Sequence, residues 1–366
     1  MSPALKTVLD WKRKRGYNAE AMPADPTASY STEFVDWALT RGGLWVSPGE
    51  PDLLFDPAIS KEAAALRETA SHWTASTHGI MVEAGVVASE QINASAALVN
   101  GKYFVAINGA MVVYLYGQCL AAVRRVEWPL SAESRDRFSI TAHAAVAVAR
   151  FHEFGHVVNG HLDYLQSLGQ KALSGLDNQT LEYDADSYAA QQLFTQLTGA
   201  RVDGRREDHS QILQWPDSNR IGNQAQQMNI LGAAMYLYFD TIVRFSGGLK
   251  PGWESDFTLA GRDRYPPLEA RVHGMFATVT TYLQSFGLSV EQRQEAIRSI
   301  VDGVLEMATN LGERGERLQK LLRPIGPAQA YLKMLEENWN AKIRPALEPF
   351  ARTRLAGSPF DASRHK

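Results

Sequence analysis

The 366-residue chain has one cysteine, Cys119, so no disulfide can form within it. Any metal site in it must be built from histidines and carboxylates, because thiolate clusters are excluded. Charge of one sign is scarce as well: 37 Lys and Arg against 40 Asp and Glu leave a formal net charge of -3. So balanced a chain offers no broad attraction for nucleic acid or an anionic membrane, and neither is the expected partner. The opening residues run from Met1 into Lys12, Arg13, Lys14 and Arg15 without the apolar stretch of a secretory signal. With the lone cysteine this gives the expectation of a cytoplasmic protein.

Long hydrophobic runs are also missing, with one exception. Tyr103 to Val123 holds no Asp, Glu, Lys or Arg over 21 residues and is flanked by Lys102, Arg124 and Arg125. It is the one candidate membrane span. Asn108 and Gln118 in its interior, its glycines and the β-like opening Tyr103-Phe-Val-Ala-Ile favour instead a strand running into a buried helix.

What is present divides along the chain. Residues 1–60 are rich in Pro, Asp and Ser with little periodicity and read as an irregular leading arm. Residues 61–130 mix a short helix with β-rich runs such as Gly79-Ile-Met-Val and Ala97-Leu-Val, which predicts a small mixed α/β region. Residues 131–366 carry helical periodicity, with helices predicted near 139–160, 181–198, 223–246, 267–286, 290–310 and 327–352. Ser289 and Gln292 form a capping-box pattern for the fifth of these. The fold class is therefore mainly α with a small β-containing N-terminal part. Two polar connections, 199–222 and 247–265, are expected to rim a cleft.

The alanine-rich run Ala144 to Ala149 leads into Arg150-Phe-His-Glu-Phe-Gly-His156, an HExxH pattern on a helix expected to be buried. Four helical residues advance about 400°, so His152 and His156 stand one turn apart on one face and can hold one ion together. Glu153 lies about 100° round the helix, suited to exchange a proton with water at the ion rather than to ligate. Chance alone would produce the pattern in such a chain about once in a hundred. A catalytic zinc wants a third protein ligand and an open fourth position. His161 does not fit the spacing HExxHxxGxxH, since Asn159 and Leu162 stand where Gly and His are needed, and a role at the helix end or behind a ligand is expected for it. Glu182 is the better third ligand, with Asp186 one turn later on the same face, placed to accept a hydrogen bond from a ligand imidazole.

His152-Glu-Phe-Gly-His156, Glu182-x-x-Ala-Asp186 and Tyr265-Pro-Pro-Leu-Glu-Ala-Arg271 together resemble the three signatures of the CaaX prenyl protease and HtpX family of gluzincin zinc peptidases. The resemblance implies a zincin-like fold with the HExxH helix packed against the ExxAD helix. It also implies one zinc ion per chain on His152, His156 and Glu182, and active-site roles for Tyr265 and Arg271. Departures are Tyr265 where the family has His, the short interval of 26 positions from His156 to Glu182, and the lack of several membrane spans. The segment His152 to His161 is also similar to soluble phage-exclusion peptidases of the Lit type, which would imply a narrow protein substrate.

The expected function is a metallopeptidase acting on a protein or peptide, with Glu153 as proton acceptor and Tyr265 or Arg271 stabilising the oxyanion. For Arg271 a structural pairing with Asp186 or Glu269 is the equal alternative. The rival from another class is a helical binding or scaffold protein whose zinc is closed off by a fourth ligand such as His143 or His161.

Overall fold

A computed structural model describes residues 30–44, 56–76, 80–125, 131–169, 173–199, 224–245, 266–284, 288–314, 319, 326–353 and 355. The chain divides into two compact units, Met1–Gly117 and Gln118–Lys366. The boundary falls inside a helix, somewhat before the residue 130 expected from composition.

In the first unit, α1 (Thr32–Leu39), α2 (Asp56–Ser76), β1 (Val82–Val87), β2 (Ala94–Val99) and β3 (Lys102–Asn108) precede α3 (Gly109–Arg124), which runs across the boundary. The leading segment is thus not wholly irregular. Ser31 caps α1 by accepting from the Phe34 backbone N–H, and Phe34, Trp37 and Ala38 pack on Leu44, Val87, Phe104 and Ala106 of the sheet. Eight residues suffice for a helix here because its apolar face is covered, although the flanking sequence shows no sustained period.

The strand order is β1-β3-β2, with β3 parallel to β1 and antiparallel to β2. Val99 pairs with Lys102 across the two-residue turn Asn100-Gly101, both at positive φ. That turn is the Asn-Gly hairpin signal, and it settles the β2/β3 pairing that apolar patterning leaves open. Tyr103 to Val123 holds all of β3 after Lys102 and then α3 short of its last residue, and among the described residues no helix is long and apolar enough to cross a membrane.

The second unit is helical: α4 (Ala132–Val158), α5 (His161–Leu168), α6 (Gly175–Thr198), α7 (Gln224–Phe245), α8 (Leu268–Gln284), α9 (Val290–Asn310) and α10 (Gly326–Asn338) are followed by a π-helical turn, Trp339–Ile343, and α11 (Arg344–Leu347). Helix α4 packs on both α6 and α7, while α8 lies against α6 and α7. From Ile140 to Gly155 every residue of α4 is buried, so it is the central helix of the unit rather than a surface one. The capping box at Ser289 and Gln292 forms as predicted, and a second one, Ser174 with Asp177, starts α6. Asp177 is also tied to Asn338 and Lys342, which anchors the π-helical turn on α6.

One close approach sets the α4/α6 distance. A Cβ on Gly155 would lie 3.2 Å from the Ala185 Cα and 3.2 Å from a ring carbon of Tyr188. Glycine in HEFGH and alanine in the ExxAD stretch thus let the two backbones meet where their functional side chains project.

Candidate metal centre

Helix α4 supplies His152, Glu153 and His156, and α6 supplies Glu182, Asp184 and Asp186. The packing at Gly155 and Ala185 brings the two sets together. His152 Nε2 lies 3.2 Å from His156 Nε2 and 3.3 Å from Glu182 Oε2, and His156 Nε2 lies 3.9 Å from Glu182 Oε1. One donor atom from each of these three residues falls within 4.8 Å of the others, a separation that one cation can bridge. Among the described residues no fourth His, Cys, Asp or Glu joins the group.

Each imidazole is held from behind. His152 Nδ1 is 2.9 Å from Asp186 Oδ1, and Arg271 donates to the same carboxylate from Nε (2.7 Å to Oδ2) and Nη2 (2.6 Å to Oδ1). Arg271 is 1% exposed, and its guanidinium carbon sits 4.8 Å from the ring centre of Phe239 and 5.6 Å from that of Tyr238. Of the partners expected for Arg271, Asp186 is thus the one it grips. His156 Nδ1 is 2.9 Å from His161 Nδ1, and His161 Nε2 is 3.0 Å from Asp184 Oδ2, which also accepts from Asn159 Nδ2 at 2.6 Å.

The carboxylates dictate the tautomers. An ionised Asp186 only accepts, so His152 carries a proton on Nδ1 and turns Nε2, a lone pair once the imidazole is neutral, toward His156 and Glu182. Glu182 Oε2 is buried and faces His152 Nε2 at 3.3 Å. A buried carboxylate oxygen facing an imidazole nitrogen is costly unless a positive charge, as a proton on that nitrogen or a cation between the two, offsets it. The donor set fits a divalent cation that accepts mixed nitrogen and oxygen ligands.

Neither a protein-family model nor a curated protein nor a solved structure matches the chain.

The electrostatics point the same way as the geometry. Burial works against a charged imidazole, yet hydrogen bonds and charges from Asp186 and Glu182 outweigh it and push His152 up to about 10. Burial likewise raises Glu182 and Asp186, but the neighbouring imidazoles and Arg271 outweigh it and hold both carboxyls below their ordinary range. The pocket favours one added positive charge next to Glu182.

Glu153 is buried next to His152 on α4, 8% exposed. Its negative charge, with those of Asp186 and Glu182, adds to the burial that raises the Tyr238 phenol. Tyr236 to Phe239 are all buried in the core, but Tyr238 also faces the site, its ring centre 6.0 Å from that of His152. Tyr265 and the connections 199–222 and 247–265 lie outside the described residues, apart from Gly199. Sequence reasoning did not find Asp184. It sits between Glu182 and Asp186 at a spacing that turns it to another side of α6, and the one available signal was the Asn159-Gly160 pair that bends the chain back toward it.

Proposed function

We propose that the chain is a zinc-dependent peptidase, with His152, His156 and Glu182 as metal ligands and Glu153 as the group that moves the proton. The observation that carries this reading is the convergence of three donor atoms, two of them on imidazoles aimed by buried partners, with no fourth protein ligand among the described residues. A structural zinc is closed by four protein ligands, whereas a catalytic one keeps a position for water or substrate. That contrast favours an enzyme over a zinc-stabilised scaffold. His161, named above as a possible fourth ligand, faces Nδ1 of His156 instead of the ligand cluster.

When bound, the cation supplies Lewis acidity toward a carbonyl oxygen and toward water. The rest falls to the chain. His152, His156 and Glu182 would hold the ion through one donor atom each. Glu153, next to His152 on α4, accepts a proton from water and delivers it to the departing amine. Asp186 fixes His152, and Arg271 acts through Asp186: two of its three nitrogens are taken by that carboxylate, so it is a positioning residue rather than the oxyanion donor. Protein or peptide is the substrate class, and the buried lone thiol suits a cytoplasmic setting.

The test is zinc content and peptide cleavage measured on purified wild type, Glu153→Gln and Glu182→Ala. Wild type should hold one zinc ion per chain, Glu153→Gln should keep it while losing hydrolysis, and Glu182→Ala should lose affinity for it. Full activity in Glu153→Gln would remove that residue from the mechanism. Zinc retained by Glu182→Ala would remove the third ligand.

A further inference from the structure

We propose that His161 and Asp184 form a positioning relay that fixes the tautomer and the aim of His156, so that its Nε2 lone pair faces Glu182 and His152. The proposal rests on the metal reading above.

Three observations carry it. First, the hydrogen bonds have one consistent direction. Ionised Asp184 can only accept, and it takes the Asn159 amide at 2.6 Å and His161 Nε2 at 3.0 Å. His161, with its proton on Nε2, offers a lone pair at Nδ1, 2.9 Å from His156 Nδ1. His156 must then donate from Nδ1, which leaves Nε2 free of a proton and ready to ligate. The opposite order, with His161 doubly protonated, would put the His156 proton on Nε2 and block the ligand cluster.

Second, the chain is built to bring His161 there. On a continuous helix His161 would point about 140° away from His156. Instead α4 stops at Val158, and Asn159 and Gly160 make a turn with Gly160 at φ 80°. His161 becomes the first residue of α5 and is fully buried. A Cβ on Gly160 would sit 2.6 Å from the Phe350 carbonyl carbon. The segment after Phe350 braces the turn, with the Arg352 backbone N–H donating to the Val158 carbonyl (2.8 Å) and the Thr353 hydroxyl to Asn159 Oδ1 (3.3 Å).

Third, the two ligand histidines are treated alike by different means. His152 is aimed by a carboxylate directly, and His156 by a carboxylate acting through a second imidazole. Partners of this kind, placed behind a metal ligand, change metal affinity by about 10- to 100-fold when removed.

The experiment uses the full chain with selectively 15N-labelled histidine, together with two variants. In metal-free wild type, ring 15N shifts should show His156 protonated on Nδ1 and His161 on Nε2. An imidazolium at His161, or a proton on His156 Nε2, overturns the relay, and this arm needs neither a variant nor bound zinc. In chelator competition, His161→Phe, which keeps the ring but has no acceptor, should bind zinc about 10- to 100-fold more weakly. His161→Asn, whose amide oxygen can take the place of Nδ1, should recover most of that loss. Wild-type affinity in His161→Phe, or no recovery in His161→Asn, overturns the relay while leaving the peptidase reading standing. Failure of wild type to bind zinc at all sinks the peptidase reading instead.

Discussion

Replacing Arg271 by methionine separates a residue that positions from one that contacts substrate. Arg271 is 1% exposed and Asp186 3%, and the pair shares two bonds of 2.7 and 2.6 Å, in the range of charge-assisted hydrogen bonds. Methionine fills much of the same volume but leaves Asp186 a buried charge that faces His152 Nδ1 without the guanidinium. Removing one member of a buried ion pair costs about 3–5 kcal/mol, far more than an exposed pair would. For a unit of this size about 2–4 °C of melting temperature is lost per kcal/mol, which gives a fall of roughly 6–20 °C. The assay is thermal unfolding followed by circular dichroism, with zinc affinity and turnover measured on the same samples. If Arg271 acts through Asp186, affinity falls and saturating zinc restores turnover. If it touched the oxyanion, a barrier increase of about 2.7–4 kcal/mol would persist at saturating zinc. Adding Asp186→Asn removes the orphaned charge and should return part of the stability. A melting temperature within about 2 °C of wild type for Arg271→Met would refute the reasoning, because the orphaned charge would then be costing nothing measurable.

Two further outcomes are expected. Gly160→Ala must place a side chain at φ 80° and within 2.6 Å of the Phe350 carbonyl carbon, so it should lose more than the roughly 1–2 kcal/mol that the left-handed backbone alone costs, and zinc affinity with it. An alanine variant that unfolds and binds zinc like wild type would show that the turn does not set His161. Burial pushes the Cys119 thiol from 9.0 up to about 12, so the native protein should not react with a thiol reagent at pH 8, and rapid labelling without unfolding would contradict the buried position. Since the folded pKa is the higher one, the contribution of this thiol to stability is present below about pH 9 and is lost as pH rises toward 12.

The local patterns of this chain carried much of the architecture. Helical periodicity from residue 131 onward anticipated the six long helices to within a few residues at most ends, except that α4 and α6 begin earlier, at Ala132 and Gly175, on the serine caps Ser131 and Ser174. The last predicted helix also changes to a π-helical turn at Trp339, where Lys342 reaches Asp177 of a distant helix. No local pattern encodes that contact. Helix α1 was missed because its eight residues depend on the sheet that covers them.

At the candidate site, the sequence by itself determined which side chains share a helix face. His152 and His156 are one turn apart, as are Glu182 and Asp186, and the 3.6-residue period is enough to say so. Only the tertiary structure decided that these two faces meet, through the contact of Gly155 with Ala185, and that Arg271 closes on Asp186. The same is true of His161, which a helical extrapolation turns away from His156 and which the Gly160 turn brings back. The physical reason is that helix periodicity is a short-range property of the backbone. Hydrogen-bond partners 20 to 90 positions apart depend on how packed helices approach one another, and a one-dimensional pattern holds no measure of that distance.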